Sequence, residues 1–146
     1  MPLDPNVVLE PNPDGNVGDW SNSYAQLLGK LQFIANVTRP DIAYTISKLL
    51  AHMVNPIMQH VSTLKRVLRY LSGTKSYSIT YSNILGHPNQ FHGYSDAAFT
   101  NANEHKSTTR YVFKMARGVI TWYFQKQSVM ALSSTEAEYI ALSEAA

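Results

Sequence analysis

Two carboxylates in the second half of this 146-residue chain stand where they could do chemistry together. Asp96 ends a short strand-like run, Phe91-His92-Gly93-Tyr94-Ser95-Asp96. Glu138 lies near the start of Ser133-Ser134-Thr135-Glu136-Ala137-Glu138-Tyr139-Ile140-Ala141-Leu142, which reads as a helix entered through a polar cap. Between them come two runs of strand composition, Tyr111–Met115 and Val119–Phe124, parted by Arg117-Gly118. A strand-borne Asp and a helix-borne Glu that converge across a hairpin suit metal-dependent phosphodiester hydrolysis. Carboxylates there hold divalent ions that polarise a phosphate and activate water. A charge at the end of an apolar strand is costly unless a cation or donor meets it. Each acid also has an ordinary structural role open to it. Asp96 can cap the following loop, and Thr135–Glu138 and Ser133–Glu136 both fit capping boxes. Only their combination reads as a site.

A second group of chemistry-bearing residues lies upstream. Lys65, Arg66 and Arg69 fall within one helical turn of each other and could meet successive backbone phosphates, or form an ordinary solvated face. All twelve Lys and Arg residues lie between Lys30 and Lys126, with only Asp41, Asp96 and Glu104 as acids among them, a net of +9. The ends hold the other seven acids, so the whole chain carries only +2. A basic middle favours a polyanionic partner. The five histidines show no metal-ligand spacing, although His92 shares a strand face with Tyr94 and Asp96. The absence of cysteine excludes disulfides, thiolate metal sites and thiol nucleophiles. No apolar run approaches the ~18 residues of a membrane span and the N-terminus has no signal-peptide pattern, so an intracellular protein is expected. Charged residues make up 15% of the chain, against about 25% in typical domains. That deficit suggests a surface covered by the rest of a larger protein.

The elements that must position these groups follow from periodicity. Residues 1–22 are dense in Pro, Gly, Asp and Asn and predict an extended linker. Three amphipathic helices follow over residues 23–75. Tyr24, Leu27, Leu28, Leu31 and Ile34 make the first stripe, and Ile42, Ile46, Leu49, Leu50 and Met53 the second, entered through Thr38-Arg39-Pro40-Asp41. Val61, Leu64, Leu68 and Leu71 make the third, ahead of a left-handed cap at Gly73. From residue 76 the period changes to two. Tyr77, Ile79 and Tyr81 predict an edge strand, Gly86–Asn89 a turn, and residues 97–108 a polar loop before the hairpin. The fold class expected is α+β: a small helical subdomain followed by a mixed sheet with one helix.

At these residues the chain resembles the Pol polyprotein of copia-type LTR retrotransposons, from the end of reverse transcriptase into ribonuclease H. The resemblance rests on Pro2-Leu3-Asp4-Pro5-Asn6, Tyr24–Gly29, Thr38–Ile42, Lys65–Thr74 and Ala131–Leu142, and it covers nearly the whole chain in order. It implies a thumb/connection-like region over 23–75 and the N-terminal part of a ribonuclease H-like domain over 76–146. It also implies Asp96 and Glu138, rather than Glu136, as catalytic metal ligands. Lys65, Arg66 and Arg69 become phosphate contacts, and Mg²⁺ or Mn²⁺ the cofactor of the intact parent. The expected partners are an RNA–DNA hybrid and the remainder of the polyprotein, with no membrane, in the cytoplasm or nucleus.

The chain departs from the family pattern at Val61, Ala98, Arg110 and Tyr123-Phe124. The resemblance places further carboxylates and a strand parallel to the Asp96 strand beyond Ala146. A truncated domain with an open edge there, weak or absent metal binding and no cleavage on its own is therefore expected. Two other readings stay open: a non-catalytic nucleic-acid-binding or assembly module, and a decayed reading frame without selected activity.

Overall fold

The computed structural model describes residues 1–3, 7–13, 18, 20–82, 90–99 and 106–146. The chain divides into two units, Met1–Ser78 and Ile79–Ala146. Among the described residues they hold four helices and a three-stranded antiparallel sheet, an α+β fold.

The first unit contains α1 (Ser21–Val37), α2 (Pro40–Leu50) and α3 (Met58–Gly73). Pro40 opens α2 with its fixed φ, and Asp41 sits in the first turn near the positive end of the helix dipole. The three helices close on Tyr24, Leu28, Leu31, Ala35, Ile42, Ile46, Leu49, Leu64 and Val67. The stripes of α1 and α2 follow the predicted period; Met53, however, falls beyond α2 and is exposed. That of α3 is rotated. Its buried residues are His60, Thr63, Leu64 and Val67, while Leu68, expected inside, is 37% exposed. The rotation is possible because two polar side chains enter the interior with partners. His60 Nδ1 accepts the Ile57 N–H at 2.9 Å, and the Thr63 hydroxyl donates to the Gln59 carbonyl at 2.9 Å.

The end of α3 also differs from expectation. Gly73 stays helical, and Thr74 forms the cap at φ −122°. No left-handed residue is needed, because Arg39 satisfies this end from across the unit. Arg39 binds both oxygens of Asp41 (2.9 and 2.7 Å) and reaches the Thr74 carbonyl (3.2 Å) and hydroxyl (2.6 Å). The Tyr70 hydroxyl donates to Asp41 at 2.9 Å. This clamp ties the start of α2 to the end of α3. It raises the pKa of Arg39 and lowers that of Asp41, chiefly through their mutual hydrogen bonds. The described residues of the N-terminal segment form no helix or strand, yet they lie along the unit. Leu9 packs on the core, Gln59 Nε2 donates to the Val8 carbonyl (2.9 Å), and Asn12 Nδ2 donates to Asn55 (2.9 Å).

The second unit contains β1 (His92–Ala98), β2 (Thr108–Met115), β3 (Gly118–Lys126) and α4 (Ser134–Ala145), with sheet order β1-β2-β3. Both pairings are antiparallel, so among the described residues the sheet is not mixed. The hairpin turns on Ala116 and Arg117, both at positive φ (49° and 66°), with Met115 opposite Gly118. This is the two-residue geometry whose twist matches its strands. A register shift between Phe113 and Lys114 leaves Ile120 as the extra residue of a bulge.

The predicted strand at Tyr77–Tyr81 does not form. Tyr77 lies under Arg39 (5.9 Å to the ring), whereas Tyr81 docks on the hairpin turn. The Tyr81 hydroxyl donates to the Val119 carbonyl (2.7 Å), and its ring fills the space a Cβ on Gly118 would need. The turn expected at 86–89 and residues 100–105 of the loop lie outside the described residues.

Candidate functional site

Asp96 lies on β1 directly opposite Arg110 on β2. Residues opposite each other in an antiparallel pair point to the same face of the sheet. Arg110 Nη2 meets Asp96 Oδ2 at 2.5 Å, with 43% and 57% of the two side chains exposed. The expected desolvation cost does not arise, because Asp96 is largely exposed, and its cationic neighbour is supplied by the adjoining strand. On its other side Arg110 faces Phe124 of β3.

Glu138 reaches the same end of β1 from the helix. The Ala97 N–H donates to Glu138 Oε2 at 3.1 Å, so the Glu138 carboxylate is anchored one residue past Asp96. The sequence of α4 explains why Glu138 is available for this contact. Ser133 caps the helix, accepting the Glu136 N–H at 3.1 Å, and Glu136 turns back to accept the Leu132 N–H at 2.6 Å. Glu136 is consumed by the cap.

Helix α4 is seated by small and polar residues. Ala137 and Ala141 are fully buried against the sheet. Gln127, just past β3, is buried and donates from Nε2 to the Ala137 carbonyl (2.9 Å) and to the Thr109 hydroxyl (3.2 Å). Its Oε1 has no partner among the described residues. Gln127 is a positioning residue that periodicity could not reveal, because it lies where a strand ends in a polar stretch. Arg110 drew notice only as a departure from the family pattern. Its pairing with Asp96 depends on the register between β1 and β2, which local sequence does not set.

These residues do not fit a pair of divalent ions. Asp96 is engaged by a guanidinium and Glu138 by a backbone amide. Among the described residues no three His, Asp or Glu side chains come together where they could hold a metal. Two such ions held side by side need several carboxylates between them, and two half-engaged carboxylates supply too few for a pair.

The three upstream cations lie on α3, in the other unit. Lys65 and Arg69 are exposed and Arg66 is half-buried. Arg66 Nε donates to the Met1 carbonyl at 3.3 Å. Arg66 and Arg69 line a cavity of about 220 Å³ between α3 and the N-terminal segment, with Leu3, Val7, Gln59 and Thr63; Lys65 is not part of its lining. The structure therefore brings Arg66 and Arg69 to one concavity and leaves Lys65 beside it. Of the histidines, His52 and His60 stack at 4.3 Å in the helical unit, His92 is exposed on β1, and His87 and His105 lie outside the described residues. No described helix is long and apolar enough to cross a membrane.

Similar proteins span most of this chain. A protein named secreted RxLR effector protein 161, from Plasmopara viticola, is 39% identical over 123 residues, covering 84% of this chain and 85% of its own length. The retrovirus-related Pol polyprotein from transposon RE1 of Arabidopsis thaliana is 38% identical over 117 residues, 80% of this chain. That from transposon TNT 1-94 of Nicotiana tabacum is 36% identical over 122 residues, 83% of this chain. The chain spans only 8% and 9% of the lengths of these two polyproteins. No family model and no solved structure matches the chain.

Proposed function

Since the chain belongs to the retrovirus-related Pol polyproteins of copia-type transposons, we propose that it corresponds to the stretch where the reverse transcriptase thumb and connection run into ribonuclease H. We propose further that on its own it grips an RNA–DNA hybrid without cleaving it. The observation that carries this reading is the Glu138–Ala97 hydrogen bond. It sets a helix-borne carboxylate against the backbone of the residue that follows Asp96, the neighbourhood on which a hybrid nuclease would draw. In the intact parent, Mg²⁺ or Mn²⁺ would supply phosphate polarisation and water activation. The pair in this chain is too sparsely liganded for that role, so binding is the part of the activity that remains. Such work belongs in the cytoplasm or nucleus, beside the remainder of the polyprotein.

Binding falls to α3. Lys65 and Arg69 are exposed and Arg66 faces the adjoining cavity, so the helix offers three cations over little more than one turn. Such contacts hold phosphates without reading bases. A non-catalytic binding module is the neighbouring reading, and the Arg110–Asp96 ion pair favours it over an active nuclease.

The test is anisotropy of a labelled RNA–DNA hybrid with the full chain at several salt concentrations, alongside a Mg²⁺-dependent cleavage assay. Charge reversal at Lys65, Arg66 and Arg69 should weaken binding for all sequences alike. It should also flatten the slope of log K against log salt by roughly two to three, at about 0.9 per phosphate contact. An unchanged slope refutes the role given to α3. Robust turnover by the wild-type chain, abolished by Asp96→Asn, refutes the claim that it does not cleave.

A further inference from the structure

Asp96 has a positive partner on the neighbouring strand. We propose that Arg110 is the resident cation of the Asp96–Glu138 pair. Its guanidinium holds the charge position beside Asp96, so the chain takes up no divalent metal there, and replacing Arg110 with a neutral side chain opens Asp96 to one. The inference rests on the reading of these two acids as one carboxylate pair.

Three observations carry it. The first is register. Arg110 and Asp96 are opposite residues of the β1–β2 ladder, with Cβ atoms about 5 Å apart in such a pair. The contact at 2.5 Å is therefore favoured by the backbone pairing. The second is the chemistry of the cation. A guanidinium keeps its proton across the whole pH range of a folded protein and offers a planar fork matched to a carboxylate. An incoming metal ion must therefore compete with a permanent positive charge held beside Asp96. The third is ligand supply. One oxygen of Asp96 is engaged by Arg110 and one of Glu138 by the Ala97 N–H. No other acid or histidine of the described residues completes a set. On the β3 side the residue opposite Arg110 is Phe124, whose side chain carries no oxygen to compete for it. Asp96 is thus where the guanidinium goes.

The ion pair is about half exposed, and exposed pairs contribute little to folding, so Arg110→Gln should leave the fold intact. The experiment is a titration of Mn²⁺ into the full chain, followed by its paramagnetic effect on water relaxation and on backbone amide signals. In the wild type the Asp96, Ala97 and Glu138 amides should stay unbroadened at sub-millimolar Mn²⁺. Arg110→Gln should bind one Mn²⁺ at least tenfold tighter than the wild type, with broadening centred on these residues. Adding Asp96→Asn should erase the gain, and Arg110→Lys, which keeps the charge, should behave as the wild type. Equal affinity in wild type and Arg110→Gln overturns the proposal, as does a gain that survives Asp96→Asn. If Arg110→Gln does not fold, Arg110→Ala takes its place with the same expected gain; selective broadening of the wild type at Asp96, Ala97 and Glu138 overturns the proposal in either case. Hybrid binding is measured separately, so its failure would sink the proposed function while leaving the Mn²⁺ result standing.

Discussion

The Met1–Ser78 unit buries large aliphatic side chains, whereas the Ile79–Ala146 unit buries small and polar ones. In the first, Leu28, Leu31, Ile42, Ile46, Leu49 and Val67 are all but inaccessible to water. In the second, the fully buried set is Ala137, Ala141, Ser107, Thr109 and Gln127. The larger apolar groups of the second unit, such as Phe91, Tyr94, Leu132, Tyr139 and Leu142, remain exposed. The hydrophobic effect scales with apolar area removed from water, so the helical unit carries its own driving force. The sheet unit relies more on ladder hydrogen bonds, the Tyr111–Tyr123 stack at 5.1 Å and the Gln127 link to α4. The carboxylate pair thus sits on the less self-sufficient half, while the basic helix belongs to the sturdier one. It follows that binding and cleavage need not be lost together.

Three perturbations sharpen this contrast. The largest effect is expected from Leu28→Ala, which empties a fully buried site and should cost about 2–5 kcal/mol, read from the thermal or urea melt of the helical unit. Leu68→Ala on the same unit, and Leu132→Ala on the other, should each stay within about 0.5 kcal/mol, because both side chains reach solvent. A comparable loss at Leu132 would break the comparison.

Acid comes next. Burial, and secondarily the neighbouring His52 charge, push His60 down to about 4 from its usual 6.5. The unfolded chain therefore binds the extra proton first. Stability of the helical unit should be full above pH 6.5 and fall as pH drops towards 4, by up to about 3 kcal/mol. Asp41, whose carboxyl is held below its usual range by Arg39, adds a loss at still lower pH. Amide exchange followed separately in the two units checks this: His60→Phe should flatten the profile of the helical unit between pH 6.5 and 4. If the sheet unit shows the steeper acid loss, the assignment to His60 is wrong.

The smallest is Gln127→Ala, which leaves the Ala137 carbonyl and Thr109 hydroxyl without their buried partner and should cost about 1–3 kcal/mol. In a unit with so little buried apolar area, this should exceed any exposed-leucine truncation there. It should also loosen α4, seen as faster exchange at Ala137 and Ala141.

How far these features could be read from the sequence depended on the physics that placed them. The stripes of α1 and α2 and the cap at Ser133 were legible, because period and capping chemistry act within a few residues. The strand bearing Asp96 and the helix bearing Glu138 were legible for the same reason. Val67 was missed in favour of Leu68 because the buried face of α3 admits His60 and Thr63, whose partners do not show in a hydropathy pattern. The expected cap at Gly73 failed because Arg39, 35 residues upstream of Thr74, satisfies that end instead. The Asp96–Arg110 contact was hidden for a related reason, since the register between strands separated in sequence is a tertiary property.

The hairpin turn has a kinetic consequence. Ala116 and Arg117 both hold the left-handed conformation, which L-residues other than Gly, Asn and Asp visit reluctantly. Turns of the Asn-Gly type bias the unfolded chain toward the bend and let a hairpin close in about 1–10 μs. An Ala-Arg turn gives no such head start. Its closure must wait for side chains that meet only once the strands are already paired, above all Tyr111 on Tyr123, and for Tyr81 settling over Gly118. The sheet should therefore nucleate late and through contacts distant in sequence, so that β2 and β3 spend longer as unpaired edges during synthesis than a hairpin of this length otherwise would.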